Sequence, residues 1–176
     1  MEPFLSSGIN PYDKSKRCDG SEACYENMNF VSHYLDKPEV RKILGVDPSF
    51  GNFSWRSIEI GQAFDASLDE VFPTSYYVSA LLERGVRVLL YVGANDWICN
   101  WVGNEQMSRD LEWTGQTAFA GEPLREWKVD GKVAGITRAT QGFTFATVDG
   151  AGHMVPMDQP KVALELVQRW LSGEAL

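Results

Sequence analysis

His153 lies in a short loop that directly follows a strand-like run, residues 143–148. The loop contains Gly150 and Gly152, and glycines let a backbone turn sharply at the end of a strand. An imidazole presented there can act as a general base near neutral pH. A lone loop histidine is more often satisfied by backbone groups, but this position favours a catalytic role. The other histidine, His33, lies on a predicted helix, and we expect it to be structural.

A second strand-like run, residues 86–92, leads into a loop that contains Asp96. Asn-Asp pairs after strands often only cap their own turn, so this acid alone carries little weight. Acyl transfer by a serine, however, needs a base that accepts the hydroxyl proton and a carboxylate that orients this base. We therefore predict that Asp96 orients the imidazole of His153, and that the two side chains meet at the carboxyl ends of neighbouring strands.

The chain carries no evident nucleophile for this pair. In many hydrolases that use a serine for acyl transfer, the reactive serine occupies a sharp turn flanked by glycines, Gly-x-Ser-x-Gly. The pattern is absent around Ser7, Ser54, Ser67, Ser75, Ser79 and Ser108. Loss of a triad nucleophile leaves only about 10³- to 10⁴-fold rate enhancement from oxyanion stabilisation and binding. We therefore expect the serine to lie outside this chain and the chain alone to be inactive.

The elements that position these loops are predicted from residue patterns. Helical patterns occur at residues 29–35, 38–44, 74–84 and 159–171, and the stretch 55–64 is ambiguous. Thr74 is expected to cap its helix, and an apolar stripe on the last helix, at 162, 164, 166, 167, 170 and 171, is expected to face a sheet. Strand patterns occur at 86–92, 124–129, 132–138 and 143–148, with Asp130-Gly131 as a type I′ hairpin turn. The chain thus reads as an irregular segment to residue 72 and an α/β segment from 73 to 176.

Composition excludes several classes of protein. With 176 residues, 44% of them hydrophobic, the chain can bury a core. A formal net charge of −8, without a long basic stretch, argues against nucleic acid as a partner. No apolar run reaches the roughly 20 residues that cross a bilayer, so we expect no membrane association.

Two features suit an oxidising, secretory compartment. Cys18 and Cys24 flank a polar turn and could close a disulfide loop, and Asn52 begins an N-glycosylation acceptor pattern, Asn-Phe-Ser. The N-terminal segment, residues 1–5, is too short and too acidic to be a signal sequence. We therefore expect that the chain derives from a longer protein.

Four motifs, in chain order, resemble the serine carboxypeptidase family. They are residues 8–13 with the cysteines at 18 and 24, residues 34–44, residues 93–101 and residues 149–158. The resemblance covers nearly the whole chain. It implies an α/β fold, namely the C-terminal part of an α/β-hydrolase fold: a partial sheet with flanking helices in residues 73–176, and the tail of a helical insertion or lid in residues 1–72.

The resemblance also implies roles for individual residues. Asp96 would be the orienting acid and His153 the general base. Cys99 would match a buried free cysteine that borders the substrate pocket, Met154 would line the leaving-residue side, and Cys18 would pair with Cys24. The family releases C-terminal amino acids from peptides through an acyl-enzyme, with no metal or organic cofactor, in a vacuole or on the secretory route. The implied partners are a peptide substrate and an N-terminal half that carries the serine.

Three other interpretations differ in how well the sequence supports them. Cys99 could replace the serine as nucleophile, but a reactive thiol needs a lowered pKa and an exposed turn, and residues 97–99 look like a half-buried wall. A metal site is not expected, because His33 and His153 are far apart in sequence and no carboxylates cluster at ligand spacing. The chain could also be a non-catalytic fragment or interaction module that retains half of the fold. Such a fragment would expose the edge of the strand at 86–92.

Overall fold

A computed structural model of the protein describes residues 6–18, 24–25, 27–52, 58–140 and 142–176. The second and third residues of the glycosylation pattern, and the first part of the ambiguous stretch 55–64, lie outside the described residues. No helix in the described ranges has the length and apolar character needed to cross a membrane.

Eight helices and four strands follow one another in the described parts of the chain. The helices are α1 (Asn27–Leu35), α2 (Pro38–Leu44), α3 (Ile58–Ser67), α4 (Ser75–Glu83), α5 (Trp101–Asp110), α6 (Gln116–Gly121), α7 (Val155–Asp158) and α8 (Pro160–Ser172), with a short 3₁₀ turn at Asp69–Val71. The strands are β1 (Val88–Gly93), β2 (Arg125–Val129), β3 (Lys132–Thr140) and β4 (Phe143–Val148). The predicted strands and the helices predicted at 38–44, 74–84 and 159–171 are confirmed to within a few residues.

The four strands form one mixed sheet in the order β1-β4-β3-β2. The last three strands make an antiparallel meander, and β1 pairs in parallel with β4. Asp130 and Gly131 join β2 to β3 with φ of 50° and 75°, the pair of positive angles that a type I′ turn requires. The hairpin prediction is therefore confirmed, and β1 lies at an edge of the sheet.

Side chains of β4 alternate between the two faces of the sheet. Phe143 and Phe145 belong to one buried cluster with Phe119 of α6, and the rings of Phe119 and Phe143 stack at 4.5 Å. Ala146 and Val148 belong to the cluster on the other face, together with Trp127. This strand is thus covered on both faces, which explains its nearly continuous apolar sequence.

The predicted apolar stripe of the last helix is wrong in part. Ala163 and Leu166 are the buried residues of α8, whereas Leu164 and Leu171 are about 60% exposed. The apolar residues of this helix extend around more than the single face that the sheet can cover, so the pattern alone could not select the buried positions.

Some local predictions also need correction. Thr74 precedes α4, but its hydroxyl makes no capping hydrogen bond. Helices α5, α6 and α7 were not predicted from the sequence. Ser108 is the one fully buried residue of α5, and α7 has only four residues, so neither offers the apolar periodicity by which helices are recognised.

Contacts divide the chain into two compact units, of which one comprises residues up to Lys16 together with 73–176, and the other Arg17–Phe72. The second unit contains α1 to α3 and the disulfide between Cys18 and Cys24. The predicted disulfide is therefore confirmed. The interpretation of residues 1–72 as the tail of a lid stays a prediction, and residues 6–16 pack with the α/β unit.

Reduction of this disulfide is expected to affect the second unit alone. A seven-residue loop contributes about 2 kcal/mol of unfolding free energy in the chain-entropy estimate. Amide hydrogen exchange, measured by mass spectrometry with and without a reductant, should accelerate within residues 17–72 and stay unchanged in the sheet. Faster exchange in β4 would contradict this expectation.

Candidate active site

The parallel pairing of β1 with β4 brings two loops to the same edge of the sheet. Gly93, the last residue of β1, lies opposite Val148, the last residue of β4. Backbone hydrogen bonds continue the pairing beyond the strands: the Ala94 N–H donates to the Val148 carbonyl at 2.9 Å, and the Asn95 N–H donates to the Ala151 carbonyl at 2.8 Å. The loop that carries Asp96 therefore runs against the loop that leads to His153.

Glycine is required where these two loops touch. A Cβ atom on Gly93 would lie 2.0 Å from the Gly152 carbonyl oxygen. A Cβ atom on Gly152 would lie 2.3 Å from the carbonyl oxygen of Tyr12, in the N-terminal segment. The His153 N–H donates to that same Tyr12 carbonyl at 2.7 Å. The backbones at Gly93, Gly152 and Tyr12 are therefore in direct contact with one another next to His153.

His153 and Asp96 form a hydrogen-bonded pair, with 2.8 Å between Nδ1 and Oδ2. The Asp96 side chain is 3% exposed and that of His153 is 36% exposed. The other carboxylate oxygen, Oδ1, accepts the Cys99 N–H at 3.0 Å. An ionised carboxylate only accepts hydrogen bonds, so Nδ1 carries the proton, and the lone pair of a neutral imidazole is on Nε2. This arrangement suits a general base that takes a proton at Nε2.

The loop of Asp96 is fixed on its other side by α5. The Asn100 side chain caps this helix by accepting the Gly103 N–H at 2.9 Å. Asn104 on the first turn donates through its side chain to the Cys99 and Asn100 carbonyls. A capped helix therefore begins five residues after Asp96, which limits the positions that Asp96 can adopt.

Cys99 lies beside the pair but is exposed, whereas the family resemblance implied a buried residue. Its neighbours Trp97 and Ile98 are half-buried as expected, but Cys99 itself is exposed. Partial burial raises the pKa of the Cys99 thiol, and the negative charge of Asp96 raises it further. A thiol with a raised pKa is a poor nucleophile at neutral pH.

A concavity of about 220 Å³ opens beside the pair, and its lining includes Asp96, Cys99, Asn104 and His153. Met154, predicted to line the leaving-residue side, is half-buried directly before α7 and is not part of this lining. The role predicted for Met154 therefore stays a prediction.

Asp96, Cys99 and His153 also offer three ligand atoms of the kind that metal ions bind, all within 4.8 Å of one another. The sequence prediction considered only histidine spacing and clustered carboxylates, and so overlooked this trio. Both carboxylate oxygens of Asp96 already accept hydrogen bonds, and the raised pKa of Cys99 disfavours the thiolate that a metal requires. These groups therefore fit the proton-transfer pair better than a metal centre.

Other residues at the site were not assigned a role from the sequence. The Tyr12 ring packs edge-on against the imidazole, with 5.4 Å between the ring centres. Asp158 accepts the Gly152 N–H at 2.9 Å through Oδ2. Both residues belong to motifs that carried the family resemblance, but nothing in their local pattern indicates a contact with a loop so distant in sequence.

The family model for serine carboxypeptidases matches residues 5–173 of the chain. Carboxypeptidase Y of Candida albicans is 40% identical over 174 residues, which cover 99% of this chain and 32% of the relative. Carboxypeptidase Y homolog A of Aspergillus oryzae is 40% identical over 178 residues, with 98% and 32% covered. The chain therefore spans about a third of the length of these curated relatives.

A solved structure has the same fold. It is a prohormone-processing carboxypeptidase from Saccharomyces cerevisiae, with a TM-score of 0.74 and 23% sequence identity, and the match covers 94% of this chain and 36% of that one. The mixed sheet with its flanking helices is thus part of an α/β-hydrolase fold, as the sequence predicted. With the family model and the 40% identities, the chain belongs to the serine carboxypeptidase family.

Proposed function

We propose that the chain supplies the acid and the base of a Ser-His-Asp triad in a serine carboxypeptidase that releases C-terminal amino acids from peptides. The observation that carries this proposal is the 2.8 Å contact between His153 Nδ1 and Asp96 Oδ2, at the ends of two parallel neighbouring strands. Membership of the family supports the substrate class.

The catalytic roles follow from the hydrogen bonds of the pair. His153 takes the proton of the serine hydroxyl at Nε2 as the serine attacks the peptide carbonyl, and later gives this proton to the leaving amine. The buried carboxylate of Asp96 holds Nδ1–H and stabilises the imidazolium that forms. Water then attacks the acyl-enzyme, and His153 acts as base a second time.

The serine is proposed to come from a polypeptide portion that corresponds to the remaining two thirds of the relatives. This portion would also supply the oxyanion donors and the groups that bind the C-terminal carboxylate of the substrate. The region up to residue 72 is proposed to be the tail of the helical insertion over the site.

A fusion protein tests this proposal directly. Residues 1–176 replace the matched third of Candida albicans carboxypeptidase Y, and the release of the last amino acid from an N-blocked dipeptide is measured. We expect the fusion to turn over the dipeptide, and one of its serines to be labelled by a fluorophosphonate probe. The same fusion with His153→Ala is the control, and it should neither turn over nor be labelled. A fusion that is folded by circular dichroism and monodisperse, yet inactive and unlabelled, would refute the proposal.

The alternative, a non-catalytic fragment or interaction module, makes a different prediction for the isolated chain. If the chain is instead a portion of a larger enzyme, it exposes apolar surface and the edge of β1 when isolated, and so tends to aggregate or pair. An independent module would be monodisperse at micromolar concentration and would stay inactive in the fusion. Light scattering of the chain alone, measured beside the fusion assay, distinguishes the two.

The structure also gives an expected result for the cysteine-nucleophile alternative. Since the pKa of Cys99 is raised, its reaction with iodoacetamide should reach half of its maximal rate at a higher pH than that of a cysteine in a reference peptide. Turnover by the fusion should persist in Cys99→Ser, because serine chemistry does not use this thiol. A pH midpoint below that of the peptide, with loss of all turnover in Cys99→Ser, would support the cysteine alternative.

We also propose a vacuolar or secretory location. The disulfide between Cys18 and Cys24 is of the kind that persists in oxidising compartments. Asn52 is exposed, as an acceptor for N-glycosylation must be. A shift in mobility of the secreted protein after glycosidase treatment, absent from Asn52→Gln, tests this proposal.

A further inference from the structure

One segment of the α/β unit, residues 10–16, contacts both catalytic loops, and we call it the strap. On the side of Asp96, the Pro11 carbonyl accepts the Ile98 N–H at 3.1 Å, and the Lys14 N–H donates to the Asn95 carbonyl at 2.9 Å. The Lys14 ammonium donates to the Ala94 carbonyl at 3.0 Å. On the other side, the Tyr12 carbonyl accepts the His153 N–H. The strap therefore joins the two loops at the backbone level.

The fold of the strap depends on a buried acid. Asp13 is fully buried, and its Oδ1 accepts both the N–H and the hydroxyl of Ser15, at 3.0 and 2.6 Å. The N–H of Lys16 donates to the Asp13 carbonyl at 3.0 Å. These bonds curl the chain back on itself, so that Lys16 returns to the side of the strap that faces α7.

Lys16 then connects two carboxylates that are far apart in sequence. Its ammonium lies 2.8 Å from Asp13 Oδ2 and 2.8 Å from Asp158 Oδ1, and the two acid side chains are 0% and 6% exposed. The other oxygen of Asp158 accepts the N–H of Gly152, directly before His153. One cation thus neutralises two buried anions, one of which shapes the strap while the other holds the histidine loop.

The charges of Lys16 and Asp13 are stable over a wide pH range. The carboxylate of Asp13 and then that of Asp158, which accept hydrogen bonds from the ammonium, raise the pKa of Lys16 well above its ordinary value. Burial raises the pKa of Asp13, but the hydrogen bonds from Lys16 and Ser15 outweigh it and leave the pKa below its ordinary value. The ion pair of Lys16 with Asp13 is therefore charged throughout the range in which a histidine titrates.

We propose that Lys16 is a positioning residue for His153. It acts through other residues, fixing the imidazole through Asp158 and Gly152 on one side, and through Asp13 and the Tyr12 carbonyl on the other. The inference rests on the proposed function, in that the position of the imidazole matters for proton transfer. The physical claim, that Lys16 keeps the imidazole on Asp96, can be measured without catalysis.

The test is nuclear magnetic resonance of the fusion protein, in which the His153 imidazole signal is assigned as the one that is absent from His153→Ala. The Nδ1 proton of His153, bonded to a buried carboxylate, should give a downfield resonance that exchanges slowly with water. In Lys16→Met we expect its exchange to accelerate about tenfold. His33, which is exposed on α1, serves as the internal reference.

The matched control is Lys161→Met, which removes an exposed ion pair with Asp130 in the turn between β2 and β3. It should leave the His153 signal unchanged, whereas Lys16→Arg, which keeps the charge, should restore much of the slow exchange. If Lys16→Met does not fold, Asp158→Asn tests the same connection and should also accelerate exchange. Exchange in the folded Lys16 or Asp158 variant that equals exchange in the Lys161 control would overturn the proposal.

A kinetic measurement in the fusion protein distinguishes this inference from the proposed function. A positioning role predicts that Lys16→Met lowers kcat about tenfold and leaves KM nearly constant, because residues other than Lys16 line the concavity beside the pair. If the wild-type fusion is inactive, the proposed function fails, and the resonance of His153 still decides the role of Lys16. If the fusion is active and kcat is unaffected in Lys16→Met, the positioning role fails alone.

Discussion

In the fusion protein, His153→Ala is expected to lower kcat by four to six orders of magnitude, and Asp96→Asn by about four. Alanine at 153 removes the group that takes the serine proton. Asparagine at 96 keeps the shape of the side chain, but an amide stabilises the wrong imidazole tautomer and does not stabilise the imidazolium. Steady-state release of the last residue of an N-blocked dipeptide measures both effects, which should lie in kcat more than in KM.

Two matched variants separate these roles from a general effect of substitution. His33→Ala changes the other histidine, and Asp149→Asn changes an exposed acid directly after β4. Both should keep kcat within a factor of about three, as ordinary surface substitutions do. Turnover at the wild-type rate in Asp96→Asn would remove Asp96 from the triad. The same result for His153→Ala would end the assignment as a whole.

The strands were predictable because their sequences reflect the burial that the structure shows. The meander from β2 to β4 has a two-residue turn whose sequence requires positive φ at both positions, and local chemistry alone selects that turn. The placement of β1 beside β4 is different, since about fifty residues separate the two strands. No local pattern specifies that pairing, and it is the pairing that brings Asp96 to His153.

The long-range contacts of the strap could not be predicted from the sequence. The bridge from Lys16 to Asp158 joins residues 142 positions apart, and the contact of His153 with Tyr12 is equally remote. Lys16 and Tyr12 lie in no predicted helix or strand, and Asp158 ends a helix of only four residues. No periodic pattern in the sequence therefore predicts these contacts. The exposure of Cys99 was missed for a related reason, because burial at the end of a loop depends on what packs against it.

Gly152→Ala is expected to destabilise the α/β unit by roughly 3 kcal/mol and to lower kcat of the fusion about 100-fold. The new methyl group would lie 2.3 Å from the Tyr12 carbonyl oxygen and 2.7 Å from Asp13 Cβ, so the histidine loop must move away from the N-terminal segment. Gly93→Ala should act similarly, since its methyl group would lie 2.0 Å from the Gly152 carbonyl oxygen. Both substitutions force apart the backbone layers that set the distance between imidazole and carboxylate.

Gly121→Ala, at the end of α6, is the matched control for these two substitutions. Nothing lies within 4 Å of a Cβ atom there, and alanine is favoured over glycine in a helix, so stability should be unchanged or higher by about 0.5–1 kcal/mol. Urea denaturation of the fusion measures the change in unfolding free energy, and the dipeptide assay measures kcat at a urea concentration of zero, where all variants are folded. If Gly152→Ala loses no more stability than Gly121→Ala, the close contact between the histidine loop and Tyr12 is absent in solution. If stability falls but kcat does not, the loop can shift without moving the imidazole, and the distance between His153 and Asp96 is set by Asp96 and its own loop.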